Sequence, residues 1–223
     1  MNPRHTVPAA FVLALVSSVS AFAQSAPASA LKAEPRWYLA AIGGAVARPQ
    51  TEPVFGVEIA QNLGRHGQAY TTLTYFENLM TQSLHDGLDA RAATLTTLTG
   101  DTWTLSGRDR GVAFVAGGKY LIGNGTVRPY VGGGAGVINI KRTVVEARLG
   151  DVTRAVFNDY QLGDADLSLS TLGLTRPVVE AAVGVGIGSG RTHFDIGYRF
   201  RSAFNMATRL DFSQVTAGIG YRF

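Results

Sequence analysis

The 223-residue sequence contains no cysteine, which excludes both a disulfide scaffold and a metal site built on thiolates. Charged residues form only 16% of the chain, well below the roughly 25% of an average soluble domain. A formal net charge of +4, without a dense stripe of lysine and arginine, argues against nucleic acid as a partner. Because 46% of the residues are hydrophobic, intrinsic disorder is also excluded.

Long apolar runs are missing as well, and the one short run lies near the N-terminus. Residues 8–16 are almost wholly apolar, follow the weakly basic Arg4 and His5, and precede a small-x-small pattern at 21–23. We interpret residues 1–23 as a cleaved secretory signal peptide. A membrane-anchoring helix is the alternative, but the apolar run is shorter than the ~20 residues that a span needs.

The rest of the chain is dominated by an alternation of apolar and polar residues. A small, polar, proline-bearing segment at 24–35 predicts a flexible periplasmic N-terminus, and residues 36–223 form one domain. A period of two is that of a strand with one apolar face, and it is clearest in the last ten residues. The alternation predicts eight strands, at 37–47, 55–60, 68–77, 112–122, 126–141, 179–187, 191–201 and 214–223. The facing of strands one, three and five stays open, since in the third strand Tyr70 and Phe76 compete with Leu73 for the buried side.

The connections between the strands differ in length. Three are short, at 62–67, 123–125 and 188–190, whereas two are long, at 78–109 and 143–176. An even number of strands with short turns at one end and long loops at the other is typical of a bacterial outer-membrane barrel.

Each long loop is predicted to carry a hairpin. The dipeptide Gly100-Asp101 predicts a turn within 96–105, and Gly150-Asp151 predicts a turn within 144–157.

The composition of the two faces indicates which one points inward. The polar face carries many of the 27 glycines and few charges, which suits a crowded interior, because eight strands enclose little more space than side chains fill. The apolar face ends in aromatic residues such as Tyr120, Tyr198 and Tyr221, as a girdle at the lipid headgroups does. We therefore predict an all-β fold, an eight-stranded antiparallel up-and-down transmembrane β-barrel. A soluble lipocalin-type barrel is the alternative, but it would bury the charged face or expose all the aromatics.

The end of the chain adds a further pattern, since Phe223 is preceded by Tyr221 two positions before it and Ile219 four positions before it. Together with the signal peptide, the eight alternating strands and the glycine-rich stretch at 129–136, this ending resembles the small outer-membrane β-barrels of Gram-negative bacteria, the OmpA/OmpX/OmpW-like group. The resemblance spans the whole mature chain. It implies that Ile219, Tyr221 and Phe223 are an assembly signal for the barrel-insertion machinery, and that outer-membrane lipid surrounds the barrel.

The inward face is predicted to carry charged residues from five strands, namely Glu58, Lys119, Glu180, His193, Asp195, Arg199, Arg201 and Arg222. A buried charge is costly unless it is paired, so we expect the two glutamates to pair with Lys119 and Arg199 near mid-barrel. The resembling family carries similar acid–base clusters. Such a cluster is either a structural core network or a gate whose pair-switching opens a narrow water path.

Other kinds of site receive less support. His193 and Asp195 share a face, but no serine has a partnered spacing and no G-x-S-x-G motif occurs, so no catalytic residue is assigned. The glycines at 132–136 do not match G-x-G-x-x-G, and no cofactor is expected. Asp101 and the motif at 164–166 lack the spacing of a calcium loop, so no metal is expected either.

The predicted function follows from the loops. Three basic residues near them, Arg91, Arg108 and Arg110, are expected to meet anionic lipopolysaccharide. The sequence predicts a non-enzymatic outer-membrane barrel with an envelope-structural or surface-interaction role through the extracellular loops 78–109 and 143–176. The alternative is a narrow, porin-like channel for small solutes, gated by the interior charges, and a barrel hydrolase that uses His193 is a third hypothesis.

Overall fold

The computed structural model describes residues 37–47, 51–152, 174–204 and 209–223. The signal peptide at 1–23, the N-terminal segment at 24–35 and the aspartates of the 164–166 motif lie outside these ranges, and they stay predictions. No helix within the described ranges has the length and apolarity that a membrane span requires.

Eight long strands form one closed antiparallel sheet, and a two-residue strand lies at the end of one of them. The strands are β1 (Trp37–Ala47), β2 (Glu52–Asn62), β3 (Gly67–Phe76), β4 (Leu105–Leu121), β5 (Val127–Glu146), the short β6 (Gly150–Asp151), β7 (Leu174–Ser189), β8 (Thr192–Phe204) and β9 (Arg209–Arg222). Each long strand pairs with the next, β5 pairs with β7, and β1 pairs with β9 to close the ring. The prediction of an eight-stranded up-and-down barrel is confirmed.

The two ends of the barrel differ as expected. Short turns at 63–66, 122–126 and 190–191 lie at one end, where the backbones of Trp37 and Phe223 also exchange two hydrogen bonds. Long connections leave from the other end. In outer-membrane barrels the short turns are periplasmic and the long connections extracellular, and the two ends of this barrel are named after that layout.

Each strand presents one apolar face outward and one mixed face inward. The third strand, whose facing was open in the sequence, buries Tyr70, Thr72, Thr74 and Phe76 and exposes Leu73. Outward residues form a continuous apolar surface that includes Leu39, Val57, Val112, Val137, Val183, Ile196, Val215 and Ile219. The closed ring pairs the strand backbones with one another, which is the condition for placing strands in lipid.

The loop after β3 contains a helix, α1 (Gln82–Thr99), so the predicted hairpin at 96–105 is wrong. The helix begins after Thr81, whose hydroxyl accepts a hydrogen bond from the Leu84 backbone N–H at 3.3 Å. It ends at Gly100, which adopts a φ of 74°. Glycine is favoured both in hairpin turns and directly after the last turn of a helix. The sequence therefore assigns Gly100 to a hairpin turn, although it is a helix C-cap.

The long loops are shorter than predicted because the β4–β5 hairpin continues past the lipid-facing band. Pairing runs without a break from Leu121 opposite Tyr130 to Leu105 opposite Glu146, so the connection after β3 covers 77–104 instead of 78–109.

The connection after β5 begins and ends differently from the prediction too, and covers 147–173 instead of 143–176. A short hairpin is present, but the predicted turn at Gly150-Asp151 is wrong, since residues 147–149 form the turn and Gly150-Asp151 pairs back onto β5 as β6. The second half of the predicted hairpin, at 153–157, lies outside the described residues. The Glu146 carboxylate accepts the backbone N–H groups of Arg148 and Leu149 at 2.7 Å each. Burial raises the pKa of Glu146, but these two hydrogen bonds, together with the charge and side-chain hydrogen bond of Arg148, hold that pKa below its usual range.

Candidate functional site

The middle of the barrel interior contains a hub of ion pairs centred on Glu58 of β2. One carboxylate oxygen lies 2.5 Å from Nζ of Lys119 on β4, and the other lies 2.6 Å from Nη2 of Arg199 on β8. The hydroxyl of Tyr38 on β1 also donates to this carboxylate. Four strands thus meet at one buried glutamate, because their inward positions fall at the same level of the sheet.

A second carboxylate, Glu180 of β7, lies beside the first hub. It accepts from Nε of Arg201 at 2.6 Å and from the Tyr70 hydroxyl at 2.7 Å, and Nη1 of Arg199 lies 3.5 Å away. Arg199 therefore joins the two glutamates. The structure brings together the four residues for which the sequence predicted pairing, and it adds Arg201.

The third carboxylate, Asp195 of β8, completes a balanced set of charges. It accepts from the Tyr130 hydroxyl at 3.0 Å and lies 4.0 Å from Lys119 Nζ. The six charged side chains, three acidic and three basic, are Glu58, Lys119, Glu180, Asp195, Arg199 and Arg201. Formal charges cancel within the set, which keeps buried ions paired in an interior of low polarity.

Sequence reasoning missed three tyrosines that support this network. The phenol of Tyr130 lies over Gly184 and Gly197, where a built Cβ would come within 2.5 Å of its hydroxyl oxygen. The phenol of Tyr70 lies in the same way over Gly117 and Gly134, and Tyr38 is the third tyrosine. Glycines on neighbouring strands therefore leave the space in which aromatic rings reach the carboxylates. Inward glycines on the strands next to a tyrosine, at the same level of the sheet, are the sequence feature that could have predicted these inward tyrosines.

His193 and Arg222 lie nearer the periplasmic end and form a separate pair. Nη2 of Arg222 is 2.9 Å from Nδ1 of His193, and the Tyr38 ring lies 4.9 Å from the imidazole. A guanidinium only donates, so Nδ1 accepts and the ring proton lies on Nε2. Within the described residues no hydrogen bond joins His193 to Asp195 or to a serine, so this arrangement offers no nucleophile–base pair.

Apolar side chains fill the lumen on the extracellular side of the ion pairs. The Phe76 and Phe212 rings meet edge to face with centroids 5.2 Å apart, and Leu79 packs with them. Other buried members of this layer are Val46, Val54, Ala113, Ile138, Val178 and Ala203. The layer closes the barrel interior above the charges.

Further out, the β4–β5 extension and α1 enclose a second small core. Arg142 binds both oxygens of Asp109 at 2.7 Å between the two opposed strands. Above this pair, Leu88 and Leu95 of α1 pack against inward residues of the hairpin such as Leu105 and Val144. The helix therefore packs on the inward face of the extracellular end of this hairpin.

The loop-region cations predicted to meet lipopolysaccharide occupy two different places. Arg108 and Arg110 point outward from β4, and Arg110 lies directly opposite Lys141 of β5 in the sheet register. Arg91 instead lies on α1 and is half-buried. Nη1 of Arg108 is 3.5 Å from Glu77, and both side chains are exposed. We call Arg108, Arg110 and Lys141 the outer basic stripe.

Two other motifs receive a structural description. The glycines at 132–136 lie inside strand β5, which pairs on both sides, and so do not form a phosphate-binding loop. Asp101 follows the C-cap of α1. Across the parts of the chain that the structure describes, no three histidine or acidic side chains are grouped as a metal site would need.

Two solved structures share this architecture over most of the chain. The crystal structure of Neisserial surface protein A superposes with a TM-score of 0.53 at 12% identity, covering 85% of this chain and 98% of that one. The fold is that of a small outer-membrane β-barrel. The N-terminal β-barrel domain of Pseudomonas aeruginosa OprF gives a TM-score of 0.52 at 11% identity, covering 85% and 98%. No protein-family model matches the sequence, and no curated protein matches it significantly. At the level of the fold, the resemblance noted in the sequence is confirmed.

Proposed function

We propose that this protein is a non-enzymatic barrel of the bacterial outer membrane whose extracellular end is an interaction surface of the cell envelope. The observation that carries the proposal is the ordered structure at that end. The β4–β5 hairpin extends beyond the lipid-facing band, and α1 packs against this extension. A pre-ordered platform loses little entropy when it binds a partner. The filled lumen below it leaves this end as the surface available to other molecules. Neisserial surface protein A is by its name a surface protein, which supports the same placement.

The location is tested by fractionation of a Gram-negative host that expresses the full chain. We expect the mature protein, without residues 1–23, in the outer-membrane fraction. Its migration in SDS gels should shift on heating, because a closed barrel resists SDS until it is boiled. A soluble periplasmic protein whose migration does not change would contradict both the fold assignment and the location.

The partner supported best is the phosphate-bearing core of lipopolysaccharide, bound by the outer basic stripe. Arg110 and Lys141 lie side by side; the next outward residues towards the lipid are Val112 and Asn139, and the apolar surface continues below them with Phe114 and Val137. Guanidinium and ammonium groups at that level face anionic groups at the surface of the outer leaflet.

The stripe is tested by the lipopolysaccharide that remains bound after purification in detergent. We expect the double variant Arg110→Gln/Lys141→Gln to retain several-fold less than the wild type, and the wild-type complex to weaken with salt. The matched control is Arg65→Gln/Arg191→Gln, which removes two cations from the opposite end. Salt-insensitive binding, or equal losses in the two double variants, would overturn the assignment.

A narrow channel remains the second candidate function, because the network around Glu58 has the acid–base composition of a switchable gate. The apolar layer around Phe76 and Phe212 counts against it, since it holds no polar path for water. Bilayer conductance of the wild type and of Lys119→Ala decides between the two. We expect negligible conductance in both, whereas a rise in the variant would establish the gate.

A further inference from the structure

Charge is distributed unequally between the two ends of the barrel. The chain contains no aspartate or glutamate within 59–76, 110–145, 181–194 or 212–223, and these ranges include the three periplasmic turns and the end of β9. Four basic residues of these ranges, Arg110, Lys119, Lys141 and Arg142, lie further from that end. The basic side chains at the turns and the adjoining strand ends are Arg65, His66, Arg128, Arg191, His193 and Arg222. We call this set the periplasmic rim.

The extracellular end shows no such separation. Acidic and basic groups alternate there and pair with one another, as Asp109 does with Arg142 and Glu77 with Arg108. Among the described residues, acidic groups are therefore absent from the periplasmic rim, whereas at the extracellular end they lie among the basic groups, including those near the outer basic stripe.

Two of the rim residues are attached to lipid-facing tyrosines. Nη1 of Arg191, in the β7–β8 turn, donates to the Tyr221 hydroxyl at 2.9 Å. The imidazole of His66, in the β2–β3 turn, stacks on the Tyr120 ring with centroids 5.7 Å apart. Both tyrosines are about half exposed on the outer surface, at 49% and 58%. Tyrosines of this kind mark the level of the lipid headgroups, so the rim residues beside them lie at the level of the phosphates.

Arg65 extends the same surface. It directly precedes His66 in the turn and is exposed. A fixed Arg191 and an exposed Arg65 thus present donors outward at two points on the circumference, whereas Nδ1 of His66 donates to the Leu121 carbonyl oxygen at 2.9 Å. Guanidinium groups match phosphate oxygens with paired hydrogen bonds, which ammonium groups do not.

From this geometry we infer that the periplasmic rim binds the phosphates of anionic phospholipids in the inner leaflet, through Arg65 and Arg191. The inference rests on the outer-membrane location proposed above. A lipid is the source of the phosphate because both anchoring tyrosines face the lipid and not the lumen. An acidic periplasmic protein would not require the cations to lie on that surface.

The test uses the full mature chain, purified and reconstituted in phosphatidylcholine nanodiscs that contain cardiolipin, with retained cardiolipin counted by native mass spectrometry. A basic residue near a membrane surface contributes about fivefold in affinity, so Arg65→Gln/Arg191→Gln should bind cardiolipin about 30-fold more weakly than the wild type. The control Arg148→Gln/Arg209→Gln removes two exposed arginines from the extracellular end, neither of them in the outer basic stripe, and should retain cardiolipin. Heat-modifiable migration verifies that each variant is folded.

Three results would overturn the inference. The first is wild-type retention of cardiolipin by Arg65→Gln/Arg191→Gln. The second is an equal loss in the control pair, which would indicate attraction by net charge alone. The third is full displacement of cardiolipin by inorganic phosphate at the same concentration, which would identify a free anion as the ligand. A failure of the proposed surface role would be seen in a different measurement. In that case the substitutions at Arg110 and Lys141 would leave lipopolysaccharide binding unchanged.

Discussion

At the scale of single residues, Glu58 is the most connected group of the interior. It lies among Lys119, Arg199 and Tyr38, and each reaches it from a different strand. A carboxylate buried with fewer partners would cost several kcal/mol, so the residues around it depend on one another.

Removing Lys119 tests this dependence. Lys119→Ala leaves Glu58 with one fewer cation and Asp195 without its nearby ammonium group, so we expect a loss of about 3–5 kcal/mol in the free energy of unfolding. Urea unfolding in detergent micelles measures it. The exposed Lys141 is the matched control, and Lys141→Ala should change stability by less than about 0.5 kcal/mol. Equal effects would show that the buried pairs contribute nothing.

Glycine at Gly136 is required by space and not by backbone conformation. A Cβ built there would lie 1.9 Å from the carbonyl oxygen of Phe114, a backbone atom that has little room to move, whereas a Cβ at Gly43 meets nothing within 4 Å. Gly136→Ala should therefore destabilise the barrel by about 1–3 kcal/mol. Gly43→Ala should be tolerated within about 0.5 kcal/mol. The same unfolding measurement compares them, and equal tolerance would contradict the close approach.

Charged interior residues could be predicted from the sequence, but their tyrosine partners could not. Alternation places Glu58, Lys119 and Arg199 on the polar face without ambiguity. A tyrosine is both apolar and polar, so period two alone does not decide where Tyr70 or Tyr130 points. Only the neighbouring strand, with glycines at the matching level, decides it.

At the scale of elements, α1 is the element that the search for alternating residues did not predict. Its inward residues Leu84, Leu88, Ala92 and Leu95 follow a helical spacing, but they lie in a loop where the surrounding chain alternates. The helix packs against the hairpin extension, and the same contacts lengthen β4 and β5 beyond their predicted ends. Loop length alone does not reveal such mutual support.

Two leucines of α1, one buried and one exposed, test whether packing against the hairpin holds the helix in place. Leu95 is fully buried at 0% exposure, whereas Leu98 is 72% exposed. Leu95→Ala should weaken the docking of the helix by about 2–5 kcal/mol, because it leaves a cavity against the hairpin. Leu98→Ala should leave docking unchanged. Amide exchange of α1 in the folded barrel reports the difference, and equal protection in the two variants would mean that the helix is not held by this core.

At the scale of the whole molecule, the fold was predictable because several independent patterns agree. Period two, the order of short turns and long connections, and the terminal aromatics all indicate one architecture. The exact ends of the strands were not predictable, since β4 and β5 owe their last pairs to Asp109, Arg142 and α1. Those contacts join parts of the chain that are distant in sequence.

The predicted assembly signal is tested in cells and in vitro together. Phe223 is 65% exposed, and only its backbone is bound, to Trp37. We expect Phe223→Ala to lower the amount of folded barrel in the outer membrane while it refolds in detergent as the wild type does. Phe55→Ala, which removes another exposed outward phenylalanine, is the control and should assemble normally. Equal refolding defects in vitro would mean that Phe223 acts on stability instead.

The pairing of β1 with β9 has the largest sequence separation of the strand pairs in the barrel. All other strand pairs can form between neighbours, but this pair joins the two ends of the domain and carries the highest entropic cost of loop closure. Until it forms, two unpaired edges are open to other chains. We therefore expect β1–β9 pairing to form late in folding, and the barrel to be most open to aggregation before it forms.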